Sequence, residues 1–223
     1  MSPLNYIYWR EGIKYEDLFP VKNQGQNPVC ISYALAALIV LASKRKIGSE
    51  ELNFEDVKNH LVKELADAKN HSEQVNIIRT KIMPHYNLRF DPVLVNNINH
   101  FNPNGSYHLY LYCFWLSKNN WDKFDCFFND ENKKNKTLTA DDLDKTDSNA
   151  NGTGHAVILI DTNKKKYICL NSWGKYWANN GQFVVDRNAF NNSSVYSVYW
   201  YESDLSDEEK ECYIKRKEAV INT

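Results

Sequence analysis

Three separated side chains, Cys30, His155 and Asn171, are of the types that nucleophilic catalysis requires. A thiol becomes a strong nucleophile when it loses its proton, and a neighbouring imidazole can take that proton. A side-chain amide that accepts a hydrogen bond from one imidazole nitrogen fixes the ring, so that the other nitrogen faces the nucleophile. The chain therefore carries a thiol nucleophile, a base and a group to orient the base, provided that the fold brings them together.

Cys30 stands directly before a long apolar run, residues 31–42, which predicts a buried helix. The run is too long for an ordinary strand and too short to span a membrane. The basic residues 44–46 lie at its predicted end, and Gly48 can close it. Cys30 would then lie in the first helical turn, where free N–H groups stabilise a thiolate. Taken alone, Cys30 is more typical of a small buried hydrophobic residue, as most free cysteines are.

His155 and Asn171 flank two predicted strands, residues 156–160 and 167–170, joined by a polar turn. In such a hairpin the start of the first strand lies beside the end of the second strand. We therefore expect Asn171 to lie next to His155, with Trp173 covering the pair from water. Taken alone, His155 is also typical of a structural histidine at the start of a strand.

The remaining chain predicts helices first and antiparallel strands later, which is an α+β layout with two lobes and a cleft between them. The predicted helices after the first are residues 54–68, capped by Asn53, and residues 73–83, stopped by Pro84. His60 and His71 lie on polar stretches and are predicted to be solvated.

From about Tyr86 to residue 202 we expect strands and loops. The polar residues 129–153 predict a long surface loop or a locally disordered one. The charged residues 203–223 predict an exposed terminal helix, which begins with a capping box of Ser206 and Glu209.

Composition excludes several classes of protein. The 27 basic and 28 acidic residues give a net charge of −1, so no bulk charge favours nucleic acid or an anionic membrane. No transmembrane run occurs, and the histidines and the five cysteines have no metal-ligand spacing. The cysteines do not resemble a disulfide framework, which favours a reducing, cytoplasmic compartment. Several Asn-X-Ser/Thr sequons leave a secretory route open.

Short segments before Cys30, together with Cys30 itself, resemble a papain-like cysteine peptidase. Residues 8–10 (Tyr-Trp-Arg) and 20–25 (Pro-Val-Lys-Asn-Gln-Gly) resemble the start of the mature domain of that family. Gln24 lies six residues before Cys30, as the oxyanion-hole glutamine of the family lies before its nucleophile.

The carboxy-terminal half carries the rest of this resemblance. His155 and Asn171 keep the order and rough separation of the family's pair, and residues 171–181 resemble its downstream signature. Three separated blocks in the right order make the resemblance specific. It covers roughly residues 6–200, although residues 50–145 match the family only in their general pattern and not in specific motifs.

The resemblance implies a domain at residues 1–202 with a papain-like two-lobe fold. A helical lobe at about residues 20–85 carries the nucleophile, and a β-rich lobe at about 86–202, with the N-terminal arm, carries the base. The tail at 203–223 lies outside the domain.

The implied activity is that of a cysteine-type endopeptidase, in which a Cys30 thiolate pairs with the His155 imidazolium. Asn171 orients the imidazole, and Gln24 with the Cys30 N–H holds the oxyanion. The implied substrate contacts are Pro28, Val29, Ala156 and Trp173. The resemblance implies no cofactor; it implies peptide or protein substrates, and inhibitors of the cystatin or propeptide type as partners.

The chain also departs from the family pattern. Asn-Pro-Val-Cys-Ile at residues 27–31 replaces the usual Cys-Gly-Ser-Cys-Trp, so a typical disulfide is missing and Pro28 and Val29 replace small residues beside the cleft. No propeptide is recognisable, so the chain is either a mature, secreted or lysosomal domain or a member without a propeptide. Two other functions fit the same residues: a pseudopeptidase that binds without cleaving, and an acyl or peptidyl transferase that uses the same thioester.

Overall fold

In a computed structural model of the chain, the structure describes residues 21–25, 29–45, 52–93, 109–145, 152–162 and 165–211. The predicted N-terminal arm (apart from its last residues), Pro28, Gly48 and most of the predicted tail helix lie outside these ranges. The described start of that tail contains the predicted capping box. The Ser206 N–H donates to the Glu209 carboxylate, and the Glu209 N–H donates to the Ser206 hydroxyl.

Helix α1 confirms the predicted central helix. It spans Cys30–Arg45, and every residue from 34 to 42 is buried. Leu35, Leu38 and Leu41 have no exposed surface, and a fully buried leucine contributes roughly 1.5–3 kcal/mol to folding. The buried run therefore fixes α1 as the centre of the helical half, with Cys30 as its first residue.

Helix α2 spans Phe54–Leu65 and has the predicted cap, because the Asn53 side chain accepts from the N–H groups of Glu55 and Asp56. The next helical segment departs from prediction at Pro84. Helix α3, His71–Ile77, continues through a π-helical turn at Ile78–Ile82 into α4, Met83–His85, so Pro84 lies inside the helix. The Met83 N–H bonds to the Ile78 carbonyl in the wider π register. The π-helical turn shifts the hydrogen-bond register directly before Pro84, whose missing N–H would otherwise interrupt a regular α-helical ladder.

Within the described ranges, seven strands form one sheet in the order β1-β7-β2-β4-β5-β6-β3. Neighbours are antiparallel except for β3 and β6, which are parallel. The strands are β1 Arg89–Val93, β2 Leu109–Leu116, β3 Thr137–Leu138, β4 Thr153–Thr162, β5 Lys166–Leu170, β6 Gln182–Asp186 and β7 Ser193–Tyr199. Strands β4 and β5 form the predicted hairpin.

The prediction of strands and loops alone in the second half is wrong between β2 and β3. Helix α5, Lys118–Asn129, is capped by the Ser117 side chain and buries Phe124 and Phe128. Residues 131–145 are not a structureless loop either, since they contain β3, a 3-10 turn at Ala140–Asp142 and the buried Leu138 and Leu143. In α5, aromatic residues at helical spacing determine the secondary structure, although the composition of the segment is polar.

The sheet has a hydrophobic core on each face. Side chains alternate along β2, so that Leu111 and Cys113 pack towards α1, while Tyr112 and Phe114 pack towards α5. This observed mixture of helices and a seven-stranded sheet confirms the α+β class. Among the described residues, no helix combines the length and the apolar character needed to cross a bilayer.

Candidate active site

A cleft of about 600 Å³ separates the start of α1 from one end of the sheet. Four of the predicted residues that line it come from different elements. Cys30 begins α1, His155 lies on β4, Gln24 precedes α1, and Trp173 follows β5. The fold thus brings to one cavity side chains that lie up to 149 positions apart in the sequence.

A hydrogen bond between side chains joins His155 to Asn171, with 2.8 Å between Nε2 and Oδ1. The same Oδ1 accepts from the Ser172 N–H at 2.8 Å, which identifies this atom as the oxygen of the amide. Nε2 must therefore carry the hydrogen, and Nδ1 holds the lone pair. This tautomer gives the imidazole a basic nitrogen, as a proton acceptor for a thiol requires.

Gln24 is held against the sheet by its main chain and its side chain. Its N–H donates to the Ser172 carbonyl at 2.8 Å, and its Oε1 accepts from the Ser172 hydroxyl. Just before it in the chain, Asn23 pairs with Trp173 in an antiparallel bridge, and the Lys22 carbonyl accepts from the Gly174 N–H. The bond to the Ser172 hydroxyl therefore fixes the orientation of the Gln24 amide, which lines the cleft.

The four predicted substrate contacts have different positions. Ala156 lines the cleft beside His155, and the Trp173 ring covers the imidazole with 4.9 Å between ring centroids. Val29 is half-buried before α1, its carbonyl accepts from the Tyr33 N–H, and it does not occur among the described residues that line the cleft. Pro28 lies outside the described residues.

The electrostatics of the pair are dominated by burial. Burial raises the pKa of the Cys30 thiol, and backbone hydrogen bonds from Ala156, Ile31 and Cys30 itself partly offset this rise. Burial lowers the pKa of His155 to about 4, against the opposing effect of the bond to Asn171. Each group alone is therefore stabilised in its neutral form. Proton transfer creates both charges together, and their mutual attraction opposes this desolvation cost.

His71 was predicted to be solvated, and this prediction is wrong. The residue is half-buried at the rim of the cleft, where its Nε2 lies 2.9 Å from the Tyr196 hydroxyl. Its ring packs edge-on against Trp115, with 4.7 Å between centroids. His60 is also partly buried and bonded to the Tyr86 hydroxyl. Both burials come from partners distant in sequence, which the local polar context of each histidine does not reveal.

Trp121 also lines the cleft and was not identified from the sequence. Its Nε1 donates to the Thr153 carbonyl at 3.1 Å, and its ring meets His155 edge-on at 5.7 Å. The signal that could have found it is the helical spacing of Trp121, Phe124 and Phe128 after Ser117.

Trp115 packs directly on Gly154, the residue before His155. A Cβ added at Gly154 would lie 2.6 Å from the Trp115 Nε1. We expect Gly154→Ala to push the indole away and to lower the free energy of unfolding by about 1–3 kcal/mol. Urea unfolding measures this loss. The double variant Gly154→Ala with Trp115→Phe should regain part of the lost stability, because the smaller ring leaves room for the methyl group. If the two substitutions changed the free energy of unfolding additively, the overlap between the methyl group and the indole would be contradicted.

Two of the solved structures that resemble this chain are cysteine proteases. Xylellain, a cysteine protease from Xylella fastidiosa, matches 82% of this chain and 84% of its own with a TM-score of 0.52 at 13% identity. The Carica candamarcensis cysteine protease CMS1MS2, solved in complex with E-64, matches 86% of this chain and 97% of its own, with a TM-score of 0.44 at 12% identity.

The likeness to xylellain establishes that the chain has the papain-like two-lobe fold. Because identities this low do not carry activity from one protein to another, the comparison concerns the fold alone. No protein-family profile and no curated protein matches the sequence.

Proposed function

We propose that the protein is a thiol-dependent peptidase that hydrolyses peptide bonds through a thioester on Cys30. The observation that supports this most strongly is the Ser172–Asn171–His155 hydrogen-bond series, because it presets the imidazole as a base in the cleft that Cys30 lines. A histidine with a purely structural role would not need its tautomer fixed beside a thiol.

In the proposed reaction, His155 Nδ1 takes the Cys30 proton and the sulfur attacks the peptide carbonyl. The Gln24 amide and the Cys30 N–H bind the oxyanion, and each such donor contributes roughly 10²–10³ in rate. His155 then protonates the leaving amine, and water hydrolyses the thioester. Asn171 keeps the ring aligned through both steps, and Trp173 and Trp121 shield it from solvent.

The proposed catalytic domain comprises residues 1–202, with the helical lobe at about 20–85 and the β-rich lobe at about 86–202. Its substrates are peptides or proteins, and inhibitors of the cystatin or propeptide type would occupy the same cleft. Peptide ligation assayed alongside hydrolysis distinguishes this reaction from peptidyl transfer by the same thioester.

Alkylation of the cysteines between pH 4 and 9, mapped by mass spectrometry, tests the proposed pair. We expect Cys30 to react before the other cysteines and already well below pH 8. His155→Ala should remove this reactivity below pH 8, because no imidazole then accepts the proton. If Cys30 in the wild type reacts no faster than the exposed Cys126, the peptidase proposal is wrong and the cleft belongs to a binding module.

The pH profile of hydrolysis provides a second prediction. His155 must be neutral to accept the thiol proton, and its pKa is lowered to about 4. Activity should therefore persist as the pH falls below 6.5 and disappear only around pH 4. The measurement is kcat/KM against pH on a peptide substrate, and an acid limb near pH 6.5 would show that His155 titrates like an exposed histidine.

A further inference from the structure

Cys113 is a second thiol in the cleft, and the proposed hydrolysis does not use it. It lies on β2, is almost fully buried and lines the same cavity as Cys30 and His155. Its side chain is on the face of the sheet that packs against α1, whereas the buried Cys169 belongs to the core on the opposite face. Of these two buried thiols, only Cys113 faces the helix that carries the nucleophile.

Ala156 connects the two thiols of the cleft. It is the register partner of Cys113 in the β2–β4 pair, which places their Cα atoms about 5 Å apart. The backbone of Ala156 is also hydrogen-bonded to the Cys30 thiol. Both thiols are thus placed against the same residue of β4, at the wall of the same cavity.

We propose that Cys30 and Cys113 form a reversible disulfide when a hydroperoxide enters the cleft, which turns off the nucleophile and protects it from irreversible oxidation. The proposal rests on the proposed function, because it requires Cys30 to be the reactive thiol.

The chemistry is a two-electron oxidation of two thiols by one peroxide. The Cys30 thiolate attacks the terminal peroxide oxygen, the O–O bond breaks, and the alkoxide takes the proton from the His155 imidazolium to leave as an alcohol. Cys30 is then a sulfenic acid. The Cys113 sulfur attacks the Cys30 sulfur, the S–O bond breaks, and hydroxide leaves with the Cys113 proton as water.

The different environments of the two thiols set this order. Burial holds the pKa of Cys113 far above its ordinary value, so Cys113 stays protonated and does not react with peroxide first. Cys30 is partly exposed and lies beside a base. It is also the first residue of α1, and the end of a helix has fewer internal hydrogen bonds to break when the backbone moves towards β2.

The test is treatment of the full chain with hydrogen peroxide, followed by peptide mapping with and without a thiol reductant. In the wild type we expect a cross-linked pair of peptides, containing Cys30 and Cys113, whose mass is lower by two hydrogens. Reduction should then restore alkylation of Cys30. In Cys113→Ala, Cys30 should instead go on to the sulfinic acid, which reductant does not reverse. Cys169→Ala is the matched control, a buried thiol lost from the other face, and should behave like the wild type.

Three results overturn the proposal: no cross-linked pair in the wild type, equal recovery of Cys30 in Cys113→Ala and the wild type, or a Cys30 that does not react with peroxide. Rapid alkylation of Cys30 without the disulfide leaves the peptidase proposal intact and removes this one. A disulfide in a protein that cleaves no peptide supports this proposal and removes the peptidase proposal.

Discussion

Replacing Cys30 with serine should lower kcat/KM for peptide hydrolysis by about 10⁴-fold or more, the loss expected when a covalent nucleophile is removed. The hydroxyl of serine is a much weaker acid than a thiol. The partner that orients His155 is the neutral amide of Asn171, bonded at 2.8 Å. An amide stabilises an imidazolium less than a carboxylate does, so His155 is a poor base for an alcohol.

The matched control is Cys126→Ser, because Cys126 is exposed on α5. It should retain wild-type kcat/KM, and thermal unfolding of both variants checks that the fold survives. If Cys30→Ser keeps more than a small fraction of the activity while Cys126→Ser behaves as expected, hydrolysis does not proceed through a thioester on Cys30.

Gly181→Ala should lower the free energy of unfolding by about 2–4 kcal/mol, the sum of a left-handed backbone with a side chain and a packing overlap. Gly181 has φ of +77°, and an added Cβ would overlap the Val21 side chain. Its carbonyl accepts from the Asn171 N–H at 2.8 Å. The displaced backbone should therefore also move Asn171, and kcat should fall with stability.

Gly25→Ala separates the cost of the left-handed backbone from the cost of the packing overlap. Gly25 also has a positive φ, +62°, but its added Cβ would meet nothing within 4 Å. Urea unfolding should give a loss of only about 1–2 kcal/mol for Gly25→Ala, the backbone cost alone. Equal losses in the two variants would show that Val21 moves aside without cost.

The sequence predicted those parts of the molecule that depend on local pattern. The apolar run after Cys30 is long enough to specify a buried helix without help from distant residues. The position of Asn171 beside His155 follows from one hairpin with a short polar turn, in which both residues lie close along the chain. The papain-like fold was expected from the family resemblance, which three separated sequence blocks carry in the family's order.

The parts that the sequence did not predict depend on contacts between distant segments. His71 is buried by Tyr196, which lies 125 positions later. No local pattern reports such a partner. Helix α5 was not predicted because its Lys, Asn and Asp residues give the segment a polar composition. Its Trp121, Phe124 and Phe128 nevertheless keep helical spacing. Composition describes the exposed side of such a helix, and periodicity describes the side that packs.

The two rims of the cleft differ in stiffness. At one rim, residues 22–24 and 172–174 share a backbone bridge and two backbone hydrogen bonds. At the other rim, His71 is joined to the sheet by a side-chain hydrogen bond to Tyr196 and by a ring contact with Trp115. Separating the first rim would break main-chain pairing, whereas separating the second at His71 would break only side-chain contacts. The cleft should therefore widen at His71 and stay closed beside Gln24, which acts as the hinge. A bulky protein loop would then enter from the His71 side, while Gln24 and His155 keep their relative positions.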